Sequence, residues 1–134
     1  MMDGIGIAKQ AEGRLLHRDL TEQIIGAAME VHNTLGSGFV EKVYENALAV
    51  ELGLRGLDVK QQHSTEVTYK GRVVGQYVAD ILVAGLVVME LKALDTLTGD
   101  HEAQVLNYLK ATGLRIGLLI NFGRPRLEWK RLAL

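Results

Sequence analysis

Residues 77–92 read Tyr-Val-Ala-Asp-Ile-Leu-Val-Ala-Gly-Leu-Val-Val-Met-Glu-Leu-Lys. Stretches 77–84 and 86–92 are apolar and β-branched-rich, with Gly85 between them, which predicts two strands joined by a tight turn. Three charged residues, Asp80, Glu90 and Lys92, interrupt this apolar run. Side chains alternate along a strand, so Glu90 and Lys92 share a face. Charges in such a setting are costly unless they are paired or used, and aspartate is disfavoured in strands. Two carboxylates facing each other across a hairpin make an all-oxygen site suited to Mg²⁺ or Mn²⁺. A lysine beside that site can hold a phosphate oxygen or a nucleophilic water. Metal-assisted phosphodiester hydrolysis needs that combination.

The carboxylates can share one ion only in one register. Directly opposed residues of an antiparallel pair have a constant index sum. Opposing Asp80 to Glu90 therefore centres the turn on Gly85 and calls for a three-residue loop, Ala84-Gly85-Leu86. A two-residue loop would oppose Asp80 to Met89 and turn Glu90 to the other face. A β-bulge could restore the alignment with a different loop. Positive φ is expected at or beside Gly85.

Outward from the hairpin, Asp19 and Glu22 resemble a capping box opening a helix over 20–35. Its apolar stripe is Ile24, Ala27, Ala28, Val31 and Leu35. Gly36-Ser37-Gly38 breaks it, and a second helix spans about 39–54, with Val43, Ala47, Val50 and Leu54 on one side. Residues 58–69 and 72–84 look extended around a Lys70-Gly71 turn. A helix over 100–112 stops at Gly113. Strands follow at 115–122 and 126–132. Two helices, several strands, one helix and two strands predict an α/β protein with a mixed sheet flanked by helices. Residues 1–18 read as a loosely ordered leader and 19–134 as one domain.

The chain has 134 residues, 48% hydrophobic and 23% charged, enough for one core. With no cysteine, disulfides and thiolate metal sites are excluded. The apolar runs are too short for a membrane span and no signal-peptide pattern is present, so a cytoplasmic, non-membrane protein is expected. Net charge is −1, but it is unevenly spread. From residue 110 onward there are six bases, Lys110, Arg115, Arg124, Arg126, Lys130 and Arg131, against one acid, Glu128. The first 109 residues carry net −6. A basic C-terminal region can contact phosphates, although a solvated strand end gives the same pattern.

Glu41, Tyr44 and Leu48 share one face of the second helix. Taken alone, a first-turn glutamate complements the helix dipole. Gln104 and Tyr108 share a face with His101 and could hydrogen-bond a water or substrate, or simply place a half-buried tyrosine. The histidines show no zinc spacing. No nucleophile elbow, P-loop or dinucleotide fingerprint is present.

Asp80 with Glu90-x-Lys92 resembles the PD-(D/E)xK nuclease superfamily. Gly38-x-x-Glu41-x-x-Tyr44 is similar to the signature of its GxxExxY proteins, as is Gly117-Leu-Leu-Ile-Asn-Phe-Gly123. Gln104-x-x-x-Tyr108 resembles a motif of the RecB-like branch. Ala79 stands where the superfamily name has proline, a variable position. The resemblance covers roughly 19–132 and implies a restriction-endonuclease-like αβββαβ core. It implies that Asp80, Glu90 and the Leu91 backbone carbonyl ligate Mg²⁺ or Mn²⁺, with Glu41 as a further ligand. Lys92 would orient water or neutralise phosphate, and Gln104 and Tyr108 would support the site. His32 would approach the metal. The implied activity is a nuclease on nucleic acid, DNA ahead of RNA, with a homo-oligomer or protein partner supplying specificity. A non-catalytic module of the same fold, binding nucleic acid or a protein, is the competing reading.

Overall fold

The structure, a computed structural model, describes residues 16–134. Most of the expected leader lies outside them. The elements are α1 (Arg18–Leu35), α2 (Glu41–Leu54), β1 (Val59–Tyr69), β2 (Arg72–Val83), β3 (Val87–Lys92), α3 (Gly99–Thr112), β4 (Ile116–Asn121) and β5 (Glu128–Ala133). The five strands lie in sequence order in one mixed sheet. Only β3 and β4 run parallel, and α3 makes the crossover between them, as a parallel pair requires.

The sheet separates two apolar clusters. One joins Ile24, Ala27, Ala28 and Val31 of α1 and Tyr44, Leu48 and Leu52 of α2 to Ile81, Val83, Val87, Met89 and Leu91. The other packs Val105, Tyr108 and Leu109 of α3 on Ala79, Val88, Leu119 and Leu132. Complete burial of a leucine such as Leu48 contributes about 1.5–3 kcal/mol.

Two sequence expectations are corrected here. Helix α1 has no capping box: its N-cap is His17, without a side-chain cap bond. Glu22 pairs with Arg18 instead, at 3.1 Å. On α2 the buried stripe is Tyr44, Leu48 and Leu52, whereas Val43, Val50 and Leu54 are 36%, 63% and 79% exposed. Both stripes have helical spacing, so periodicity alone could not choose between them. The larger Tyr44 fills the core.

Gly117 lets α3 close on the sheet. A Cβ there would stand 2.4 Å from Val105 Cγ1 and 3.1 Å from Val88 Cγ1. Gly117→Ala is expected to destabilise the protein by about 1–3 kcal/mol, the usual cost of overpacking. Urea denaturation measures this, and an unchanged midpoint would contradict the packing described.

Candidate active site

The β2–β3 hairpin has the register that the carboxylates require. Val83 pairs with Val87, Leu82 with Val88 and Ile81 with Met89. All share the index sum that opposes Asp80 to Glu90. The loop is Ala84-Gly85-Leu86, with φ of 55° at Ala84 and 66° at Gly85. The ladder stops at Ile81 and Met89, one pair before the carboxylates.

Its end has a cause in β1. Gln61 pairs with Ile81 and His63 with Ala79, but Gln62 and Asp80 between them form no pair. Gln62 has φ 52°, a left-handed conformation that a residue bearing a Cβ seldom adopts. Alternation breaks at this point in both strands. Ile81 belongs to the cluster under α1 and α2, and Ala79 to the cluster under α3, although their parity is the same. Gln61 likewise bonds α2 residues, whereas His63 bonds Tyr108 of α3.

Asp80 is half-buried at the break. Its Oδ2 accepts a hydrogen bond from the Leu91 N–H at 2.7 Å, and its Oδ1 accepts one from Gln62 Nε2 at 3.3 Å. A strand residue's N–H and C=O point the same way. The Leu91 carbonyl therefore also points to the β2 side, consistent with the Lys92 carbonyl bonding Phe122 N on the β4 side.

The Glu90 carboxyl interacts with that of Asp80, which the register places opposite it. Burial, that interaction and the Asp80 charge push its carboxyl up to about 9, against the pull of Lys92 and with a smaller push from Glu41. Glu41, in the first turn of α2, is also raised, by burial first and then by Asp80; Lys92 opposes the shift and Glu45 adds to it. Four half-buried titratable groups, Glu41, Asp80, Glu90 and Lys92, thus act on one another. Lys92 forms none of the close ion pairs among the described residues. Among those residues no three His, Asp or Glu side chains stand in closed ligand geometry. The donors present are the Asp80 and Glu90 carboxylates, which act on each other, and the Glu41 carboxylate, which interacts with both. That all-oxygen set fits Mg²⁺ or Mn²⁺, since Mg²⁺ is usually held by one or two carboxylates and retains several waters.

The Gly38-x-x-Glu41-x-x-Tyr44 element has a physical basis. Gly38 has φ 119°. The Tyr44 hydroxyl donates to the Gly36 carbonyl and accepts from the Phe39 N–H at 3.2 Å. Its ring stacks on Phe122 at 4.6 Å. Tyr44 therefore fixes the turn that presents Glu41. Tyr44→Phe should cost about 1–3 kcal/mol by leaving the Gly36 carbonyl short of a donor. Thermal denaturation tests this, and an unchanged Tm would remove the anchoring role.

A profile of the PD-(D/E)XK nuclease superfamily matches residues 18–132. The chain belongs to that superfamily. No curated protein sequence matches. Two solved structures are similar to this nuclease-superfamily chain in fold. One is the crystal structure of SSO0001, with TM-score 0.55 and 20% identity, covering 69% of this chain and 48% of that one. The other is an alkaline exonuclease, LHK-Exo, from Laribacter hongkongensis, with TM-score 0.50 and 15% identity, covering 69% and 55%. The chain thus spans about half the length of each. The fold is the restriction-endonuclease-like αβββαβ core, formed by α2, β1–β3, α3 and β4.

The other expected site residues have contacts of their own. Gln104 is exposed on α3. Tyr108 is buried, and its hydroxyl lies 2.7 Å from His63 Nδ1. His101 caps α3 through the Thr98 N–H. His32 Nε2 lies 2.8 Å from the Arg124 carbonyl, and its ring faces Phe122. In the basic C-terminal region, Lys130 is neutralised by Glu102 at 2.6 Å. Sequence reasoning did not single out Gln62 or Glu45. Neither the left-handed φ of Gln62 nor the burial of Glu45 has a sequence signal.

Proposed function

We propose that this protein is a Mg²⁺- or Mn²⁺-dependent nuclease that hydrolyses phosphodiester bonds, in DNA ahead of RNA. The observation that carries this reading is the hairpin register that opposes Asp80 to Glu90, with Lys92 on the same strand face as Glu90. Asp80, Glu90 and the Leu91 carbonyl would hold the cation, and Glu41 would join directly or through water. The cation would acidify a water and offset charge developing on the phosphate. Lys92 would orient that water or bind a phosphate oxygen. Gln104, exposed on α3, is available to substrate, and Tyr108 would act through its contact with His63.

The Gly38/Glu41/Tyr44 element supports placement among the GxxExxY proteins, and Gln104-x-x-x-Tyr108 supports the RecB-like branch. Residues 19–134 would form the nuclease domain after a leader at 1–18, in a cytoplasmic protein whose specificity comes from oligomerisation or a partner. Labelled single- and double-stranded DNA and RNA, incubated with Mg²⁺, Mn²⁺ or EDTA, test the reading. Cleavage should require a divalent ion. Cleavage undiminished in EDTA, or none in any condition, would overturn it.

A further inference from the structure

We propose that Gln62 is a positioning residue for the candidate metal site, setting the Asp80 carboxylate through a relay that starts at Glu45. The inference rests on the metal-site reading above and adds residues that the carboxylate–lysine pattern does not contain.

Glu45 is 3% exposed, yet fully engaged. Its Oε2 accepts from Lys42 Nζ at 2.9 Å and from Gln61 Nε2 at 2.7 Å. Its Oε1 accepts from Gln62 Nε2 at 2.7 Å. The same nitrogen reaches Asp80 Oδ1 at 3.3 Å. An amide nitrogen carries two hydrogens, so Gln62 can serve both carboxylates at once. Two carboxylate oxygens facing one amide call for a donor, which places the amide with its nitrogen toward them.

The backbone serves the same contact. Left-handed φ at Gln62 breaks alternation, so Gln61 and Gln62 both turn to Glu45 on α2. With Oδ1 held by Gln62 and Oδ2 by the Leu91 N–H, both Asp80 oxygens have a fixed direction. A neutral amide orients the carboxylate without cancelling its charge. A lysine or arginine at position 62 would compete with a cation for that charge.

The test titrates Mn²⁺ alone into wild type, Gln62→Met, Gln62→Gly and Asp80→Ala by calorimetry, with melting curves to establish folding. Gln62→Met keeps the length and loses the donor. Gln62→Gly relieves the backbone and also loses the donor. Both should weaken Mn²⁺ binding about 10- to 100-fold, the usual effect of losing a group that orients a metal ligand. Gln62→Asn, which keeps an amide and tolerates left-handed φ, should recover part of the loss. Wild-type affinity in folded Gln62→Met and Gln62→Gly, with binding lost in Asp80→Ala, would overturn the Gln62 role alone. Absence of Mn²⁺ binding by wild type would overturn the metal-site reading and this inference together.

Discussion

Replacing Lys92 with alanine is expected to lower cleavage by on the order of 10²- to 10³-fold while Mn²⁺ binding persists. A protonated lysine has donors only, so it cannot ligate the cation. Its charge nevertheless reaches both Glu90 and Glu41, lowering each carboxyl. Two effects on affinity therefore oppose each other. Removing Lys92 removes repulsion of the cation, but it also makes Glu90 harder to deprotonate. Mn²⁺ affinity should stay within about tenfold of wild type, the equivalent of one pKa unit. Calorimetric titration and a cleavage assay on the same sample separate the two roles. Wild-type cleavage by Lys92→Ala would remove its catalytic assignment. Complete loss of Mn²⁺ binding in a folded variant would show that it organises the carboxylates instead.

The hairpin was legible because its constraints are local. The odd loop centred on Gly85 follows from requiring Asp80 to oppose Glu90, and the observed pairing has that register. The helix stop at Gly113 and the Lys70-Gly71 turn were also legible, since each needs positive φ. The face of α2 was not. Val43, Ala47, Val50 and Leu54 make an apolar stripe as regular as the buried one, and tertiary packing of Tyr44 against Phe122 decides between them. The break at Gln62 was illegible for a different reason. Glutamine carries no preference for left-handed φ, and only its bonds to Glu45 and Asp80, 17 and 18 residues away, account for its conformation. The candidate site is thus legible where its residues sit on adjacent strands, and the contacts of Gln62 with distant side chains are hidden.

The metal-free protein is expected to lose stability as pH rises from about 4.5 toward 9. Glu90 has an ordinary value of 4.5 and is raised to about 9 in the fold, by burial first and then by its interaction with Asp80 and the Asp80 charge. Between these values the folded state holds a proton that the unfolded state has released. Stability therefore falls with pH, is fully present below the lower value and changes no further above the upper one. The ceiling on the slope is about 1.4 kcal/mol per pH unit for one proton. From pH 6 to 8 this corresponds to a drop in Tm on the order of 5–10 °C for a domain of this size. Glu90→Gln carries no titrating carboxyl, so its Tm should vary much less over the same range. Mn²⁺ should offset the loss in wild type at pH 8 by binding the native state, and should do so much less in Glu90→Gln. Melting curves in EDTA and in Mn²⁺ at several pH values measure all of this. Equal pH slopes for wild type and Glu90→Gln would show that the Asp80–Glu90 pair does not retain the proton, and would remove the electrostatic case for a cation between them.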